Sequence, residues 1–438
     1  MGVTDNQSAK LPRVGRIVGG EVFDGGAFRR AQVSVRGETF GAIAAEAGRC
    51  HTQEADAERL AELYAREKLG AARACGARRT GEGCAEGADA CDEEGSEPGI
   101  ELDATGCYVI PGLIDVHFHG CVGHDLCDAA AQGLHAIAAH EASRGVTAIC
   151  PATMTLPTER LLPALENAAA FSPAAGEAQL VGVNMEGPYI SPDKVGAQNP
   201  AYVRPASLAE FEELQAAARG LVKIVDVAPE EPGNLAFIAA VADQVRVSLA
   251  HTCADYACAA AAFDAGARHM THLFNAMPAL HHRKPGPIAA GAERDDVTAE
   301  LICDGVHVHP AMVRAAFDLF GDTRIVMISD SLRGCGLGDG TYELGGQMFT
   351  VAGPLATLAD GTLAGSVSDL MACLRTAVLD MGIPLVSAVR AASANPARAL
   401  GLSATRGAIA PGHVADAVLL DRESLAVRHV VLRGRLLY

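Results

Sequence analysis

From Pro111 to about Gly401 short apolar runs alternate with longer helical stretches. The runs read GLIDVHFH, GVTAICPA, LVGVNME, LVKIVDVA, VRVSLAH, ARHMTH, AELICDG and RIVMISD, eight in all. A strand covered on both faces needs no polar side, so such runs between helical segments predict parallel strands joined by crossover helices. Eight units predict an α/β fold, a closed (β/α)8 TIM-like barrel over residues 111–402. The two ends of the chain differ in character. GRIVGGEVFDGGAFRRAQVSVRGETFGAIAA and GAIAPGHVADAVLLDRESLAVRHVVLRGRLLY are short β-branched runs separated by Gly-rich turns. They predict a small β-sandwich domain built from residues 1–110 and 403–438. Inside the first segment, residues 50–101 turn Ala/Glu/Leu/Arg-rich and then Gly/Glu/Ala-rich, which reads as an inserted helical and poorly ordered excursion. Cys75, Cys84 and Cys91 within it match no zinc-ligand spacing and are expected to be solvated.

In a closed barrel the loops at the C-terminal ends of the strands converge on one mouth, so the last residues of the runs are candidates to line a site. His117 and His119 end the first run. Alternation puts both on one face, about 7 Å apart along the chain. Glu186 ends the third run, His251 the fifth, His272 the sixth and Asp330 the eighth. Each alone has an ordinary reading, as a hydrogen-bonded core histidine, a loop carboxylate or a helix cap. Together, at the same end of five strands, they predict a metal site. Imidazole and carboxylate suit Zn²⁺, Fe²⁺, Co²⁺ or Mn²⁺ without ranking them. With Glu186, His251 and His272 on one ion a position stays open for water, whose pKa falls toward ~7 there.

Composition narrows the partners. Aromatics are only 4% of a chain that is 49% hydrophobic, so Ala, Val, Leu and Ile must fill the core. The formal charge of −18 argues against nucleic acid or an anionic membrane as a partner. No apolar run reaches the ~18 residues of a membrane span, and MGVTDNQSAKLPRVGR lacks a signal-peptide stretch, so a cytoplasmic protein is expected. Its thirteen cysteines are expected to be thiols, and without a Cys-x-x-Cys pair no structural zinc site is expected. An anionic ligand would need a local cationic group, and HHRKPG, with Arg283 and Lys284, offers one whose fork can take two phosphate oxygens.

PGLIDVHFHG, NMEGPYISPDKVGAQNP, LAHT, MTHLFNAMPALHHRKPG, CDGVHVHP, ISDS with GLGDGTYELGGQ, and LADGTLAGS resemble, in order from about Cys107 to Tyr438, the N-acetylglucosamine-6-phosphate deacetylases of the amidohydrolase superfamily. The resemblance implies hydrolysis of the acetamide of a small phosphorylated amino sugar by metal-activated hydroxide. It implies one or two divalent ions, with Glu186, His251 and His272 holding the main one, and Asp330 serving as general base and then acid. It further implies that His307 helps the oxyanion, and that Ala197, Gln198, Asn275, Ala276, Arg283, His307, Leu363, Ala364 and Gly365 contact substrate. In the family the loop carrying Arg283 reaches a neighbouring subunit's site, which implies a homodimer.

Family members commonly carry His where this chain has Gln198, so an ionic contact becomes a neutral amide. His117 and His119 resemble the branch equipped for a second ion bridged by Glu186. Lys223, on the fourth strand, lies at the wrong end of its run to bridge two metals and is expected to be structural. Cys121 reads as a small buried loop residue, with a redox-sensitive thiol as the alternative. His124, His135, His140, His281 and His282 read as helix surface or loop. Other readings stay open: the galactosamine epimer as substrate, a dihydroorotase-like or aminoacylase-like relative, or a barrel kept as a non-catalytic scaffold.

Overall fold

The computed structural model describes residues 11–46 and 99–438, so the excursion expected over 50–101, with Cys75, Cys84 and Cys91, lies almost wholly outside the described residues. Five strands precede the barrel: β1 (Val14–Phe23), β2 (Phe28–Arg36), β3 (Thr39–Ala45), β4 (Ile100–Asp103) and β5 (Cys107–Pro111). The barrel opens with β6 (Leu113–Asp115). After it come two short pieces, β7 (Gly120–Cys121) and β8 (His124–Asp125), which pair with each other. The other barrel strands are β9 (Val146–Ile149), β10 (Gln179–Leu180) with β11 (Val183–Met185), β12 (Val222–Val227), β13 (Arg246–Leu249), β14 (His269–Met270), β15 (Thr298–Ile302) and β16 (Ile325–Ile328).

All eight predicted runs form parallel strands, with one difference. LVGVNME divides into β10, which pairs with β9, and β11, which pairs with β12. The break falls at Gly182, where a Cβ would lie 2.6 Å from the Lys223 side chain and 3.1 Å from the Cys150 sulfur. An isolated parallel bridge from Ala152 to Asn184 carries the cylinder across it. The seam between first and last strands is closed by backbone bonds just beyond them: Asp330 N–H donates to His117 O at 2.9 Å, and His119 N–H to Ser331 O at 2.8 Å. Helices cover the outside with apolar stripes. In α1 (Ala131–Ser143) the buried positions are Gly133, Leu134, Ile137, Ala138, Glu141 and Ala142, a helical period that includes one glutamate.

Beyond the barrel, β17 (Gly340–Leu344), β18 (Gln347–Ala352) and β19 (Leu355–Leu358) form an antiparallel sheet of their own that the strand pattern had not singled out. The chain ends with β20 (Ala417–Asp421), β21 (Val427–Leu432) and β22 (Arg435–Leu436), which join β1–β5 in one eight-stranded mixed sheet. Both chain ends therefore build the same sheet. Alternate residues of β5 enter different cores: Tyr108 and Ile110 join the large core of the barrel, while Cys107 and Val109 join a smaller one with Val33, Phe40 and Leu419. Among the described residues, no helix is long and apolar enough to cross a membrane, and the cysteines are free.

Candidate active site

Six predicted side chains meet at the mouth. Glu186 Oε1 lies 3.1 Å from His251 Nε2, 3.2 Å from His272 Nε2 and 3.4 Å from His117 Nε2. Its other oxygen, Oε2, lies 3.1 Å from His119 Nε2. Asp330 Oδ1 closes the group at 3.5 Å from His119 Nε2 and 3.8 Å from His117 Nε2. The strands leave their ladders abruptly here, and His251, His272 and Asp330 take positive φ of 43°, 29° and 50°. Non-glycine residues in that region are held only where the surroundings dictate it, at about 1–3 kcal/mol each. The turns aim all three side chains inward.

A second layer fixes which ring nitrogen faces Glu186. His117 Nδ1 bonds Glu300 at 2.8 Å and His251 Nδ1 donates to the Lys194 carbonyl at 2.8 Å, leaving each Nε2 for the centre. Glu300 also takes His269 Nε2 at 3.0 Å. Burial pushes the Glu300 carboxyl up, but the His117 charge outweighs it and holds the group at about 2. At Glu186 burial is likewise outweighed, by His117 and the other imidazoles, and its carboxyl sits well below the usual range. Burial disfavours a charged His119, yet Asp330 and Glu186 raise it to about 10. These carboxylates demand positive charge at one spot.

The donor set fits a divalent cation. His251 Nε2 and His272 Nε2 lie 3.1 Å apart, a separation at which two lone pairs repel unless a proton or cation lies between them. His117 Nε2 is buried and has no hydrogen-bond partner. Glu186, His251 and His272 make one possible ligand group, and His117, His119 and Glu186 a second.

A cavity of about 510 Å³ opens over this cluster. Of the predicted substrate residues, Ala197, Gln198, Asn275, Ala276, His307, Leu363, Ala364 and Gly365 line it, together with Asp330. Arg283 does not: it is exposed and its guanidinium contacts His282 at 2.8 Å. Gln198 faces inward, donating to Glu186 Oε2 at 2.5 Å while its carbonyl accepts from Thr155 N–H at 2.7 Å. Its amide is thus spent on Glu186. Lys223 donates to the Gly220 carbonyl at 2.9 Å, outside the cavity. Cys121, which could have reached the mouth, is fully buried.

Several participants went unread in the sequence. Glu300, Asp226 and Asp115 are fully buried carboxylates beneath the cluster; Asp226 and Asp115 are each the lone acid of an apolar run such as LVKIVDVA, and Glu300 is one of two in AELICDG, which was the available signal. Lys194 and Thr362 line the cavity from loops, where no periodicity points. Gln347, in the unforeseen sheet, donates to the Ala197 carbonyl at 2.8 Å and so holds the cavity wall.

A model of the Amidohydrolase family matches residues 108–437. The chain is 36% identical over 335 residues to the N-acetylglucosamine-6-phosphate deacetylase of Bacillus subtilis (strain 168), covering 75% of this chain and 84% of that one. It is 38% identical over 328 residues to the N-acetylgalactosamine-6-phosphate deacetylase of Escherichia coli O157:H7, covering 74% and 86%. The crystal structure of N-acetyl-D-glucosamine-6-phosphate deacetylase from Mycobacterium smegmatis superposes with a TM-score of 0.80 at 30% identity, over 97% of this chain and all (100%) of that one. With a barrel whose strand ends carry this histidine and carboxylate cluster, the chain belongs to the amidohydrolase family.

Proposed function

We propose that this protein hydrolyses the acetamide of N-acetyl-D-glucosamine 6-phosphate, releasing D-glucosamine 6-phosphate and acetate. The observation that carries the reading is the convergence of three imidazole nitrogens on one oxygen of Glu186, with the Asp330 carboxylate beside them at the floor of a cavity of about 510 Å³. Glu186, His251 and His272 would hold the main divalent ion, and His117 and His119 a second shared through Glu186. When bound, such an ion supplies a Lewis acid for the acetamide carbonyl and an acidified water at neutral pH.

The chain's own groups do the rest. Asp330 takes a proton from the water that attacks the carbonyl carbon. It then delivers that proton to the nitrogen as the C–N bond breaks, so the product leaves as a neutral amine and the tetrahedral species does not revert. His307, held through Nδ1 by Asp304 at 2.7 Å, keeps Nε2 for donation to the substrate oxygen that gains charge. Ala197, Asn275, Ala276 and the segment Leu363 to Gly365 would position the sugar, and Gln198 would act mainly through Glu186. For the phosphate we look to Arg283 of a second copy, in a homodimer, since in its own chain this side chain is exposed and away from the cavity. Residues 111–402 would be the catalytic barrel, and the strands β1–β5 with β20–β22 a small β domain beside it.

The test is acetate release from the two 6-phosphosugar epimers by one metal-analysed preparation. Faster turnover of the glucosamine compound is expected. Faster turnover of the galactosamine epimer would reassign the sugar, and no acetate from either would overturn the reaction.

A further inference from the structure

A second cluster of metal-ligating side chains lies outside the cavity. The thiol of Cys121, an imidazole nitrogen of His140 and a carboxylate oxygen of Glu141 all lie within 4.8 Å of one another, and none of these residues lines the substrate cavity. Cys121 is fully buried and Glu141 is 1% exposed. Apart from the weak donor of the Cys121 thiol, neither oxygen of Glu141 has a hydrogen-bond partner, and the buried Nε2 of His140 has none. A glutamate so poorly partnered in the apolar stripe of α1 is costly: ionised, it has only the charge of Arg144, which Asp369 already pairs at 3.4 Å, and protonated, its O–H still lacks an acceptor. The acids that face it from neighbouring elements, Asp115 and Asp369, deepen the deficit of positive charge.

We propose that Cys121, His140 and Glu141 form a structural site for one Zn²⁺ or a similar borderline cation, separate from the catalytic centre. One sulfur, one nitrogen and one oxygen donor suit such an ion. Metal–ligand distances of about 2.0–2.3 Å place tetrahedral ligand atoms on the order of 3–4 Å apart, so the three side chains need close by no more than about 2 Å. Cys335, buried on the facing loop, is the candidate for the fourth corner.

The location gives the site its consequence. Cys121 lies two residues past His119, and its loop is tied to the one after Asp330 by Val122 N–H to Cys335 O and Gly123 N–H to Arg333 O, both at 2.7 Å. Gly336 in that second loop packs against His140, with a Cβ there falling 2.9 Å from its ring. A cation here would clamp α1 to both loops that leave the active-site strands.

Cobalt(II) tests this selectively, because the Glu186 cluster has only nitrogen and oxygen donors, whereas a thiolate ligand adds a near-ultraviolet charge-transfer band. The reduced, cobalt-saturated protein should show that band, and Cys121→Ser and His140→Gln should each lose it together with one equivalent of bound metal. The half-buried His140→Gln carries the test if Cys121→Ser does not fold. No near-ultraviolet band at saturation, or a band of undiminished intensity in the folded variants, overturns the site.

Discussion

In the proposed reaction Asp330 would carry the proton and His307 would donate to the substrate oxygen, and each role can be isolated. Asp330→Asn keeps the shape and the hydrogen bond from Ser366 N–H to the residue's carbonyl, at 2.8 Å, but cannot accept a proton. Its metal content should match the parent while kcat falls by about 10²–10⁴; a near-parental kcat in an acetate assay removes Asp330 from the mechanism. His307 is different, because burial lowers its affinity for a proton but the bond and charge of Asp304 win and raise it above the ordinary imidazole value. The charged pair therefore stabilises the fold fully below about pH 6.5, and that contribution drains away as pH rises through the folded value of His307. Asp304 is depressed, with burial opposing and His307 prevailing, so its share is present above about pH 3.9 and is lost as pH falls through its own folded value. Asp304→Asn should move the alkaline limb of kcat/KM to lower pH. A limb that stays where it was denies His307 a protonated role.

At the scale of elements, the turn Thr362–Gly365 shows how one strand end is held by another. Ser366 N–H binds the Asp330 carbonyl, and Gly365, at φ 82°, brings its backbone so near that a Cβ would sit 2.9 Å from that oxygen and 3.0 Å from Leu332. Gly365→Ala should cost about 1–3 kcal/mol in denaturant unfolding, with a larger loss in kcat than in thermal midpoint; unchanged kcat would mean that this turn does not position Asp330. The same elements show what was legible. All eight barrel strands could be read because buried parallel strands are uniformly apolar, so a histidine or acid at a strand end stands out as a ligand candidate. Glu300 and Asp226 were equally conspicuous as letters, but they face the inside of the cylinder, where only packing reveals that Glu300 holds the His117 and His269 rings and Asp226 the Thr271 hydroxyl. The sheet β17–β19 has Gly-rich turns that signal hairpins, yet nothing local in Gln347 says that its amide will hold Ala197. Arg283 stands at the surface of its own chain, so only the charge pattern of HHRKPG and the family resemblance pointed to it.

At the scale of the whole molecule, the assignment of Arg283 to a second copy has a sharp test. Arg283→Ala and Asp330→Asn homodimers should each be nearly inactive, but a mixed dimer places one intact Arg283 loop against one intact Asp330 site. Co-expressing the two variants should restore turnover well above either alone, and no restoration in a verified mixed dimer ends the shared-site reading. The seam of the barrel carries a different consequence. His117 and Asp330 meet across it through main-chain bonds, and Ser331 Oγ ties to the Gly120 carbonyl 211 residues earlier in the chain. During synthesis the first histidines emerge long before the acid that completes their cluster. No nascent fragment lacking the eighth strand owns the finished centre, so chemical competence arrives in a single late event when the cylinder shuts.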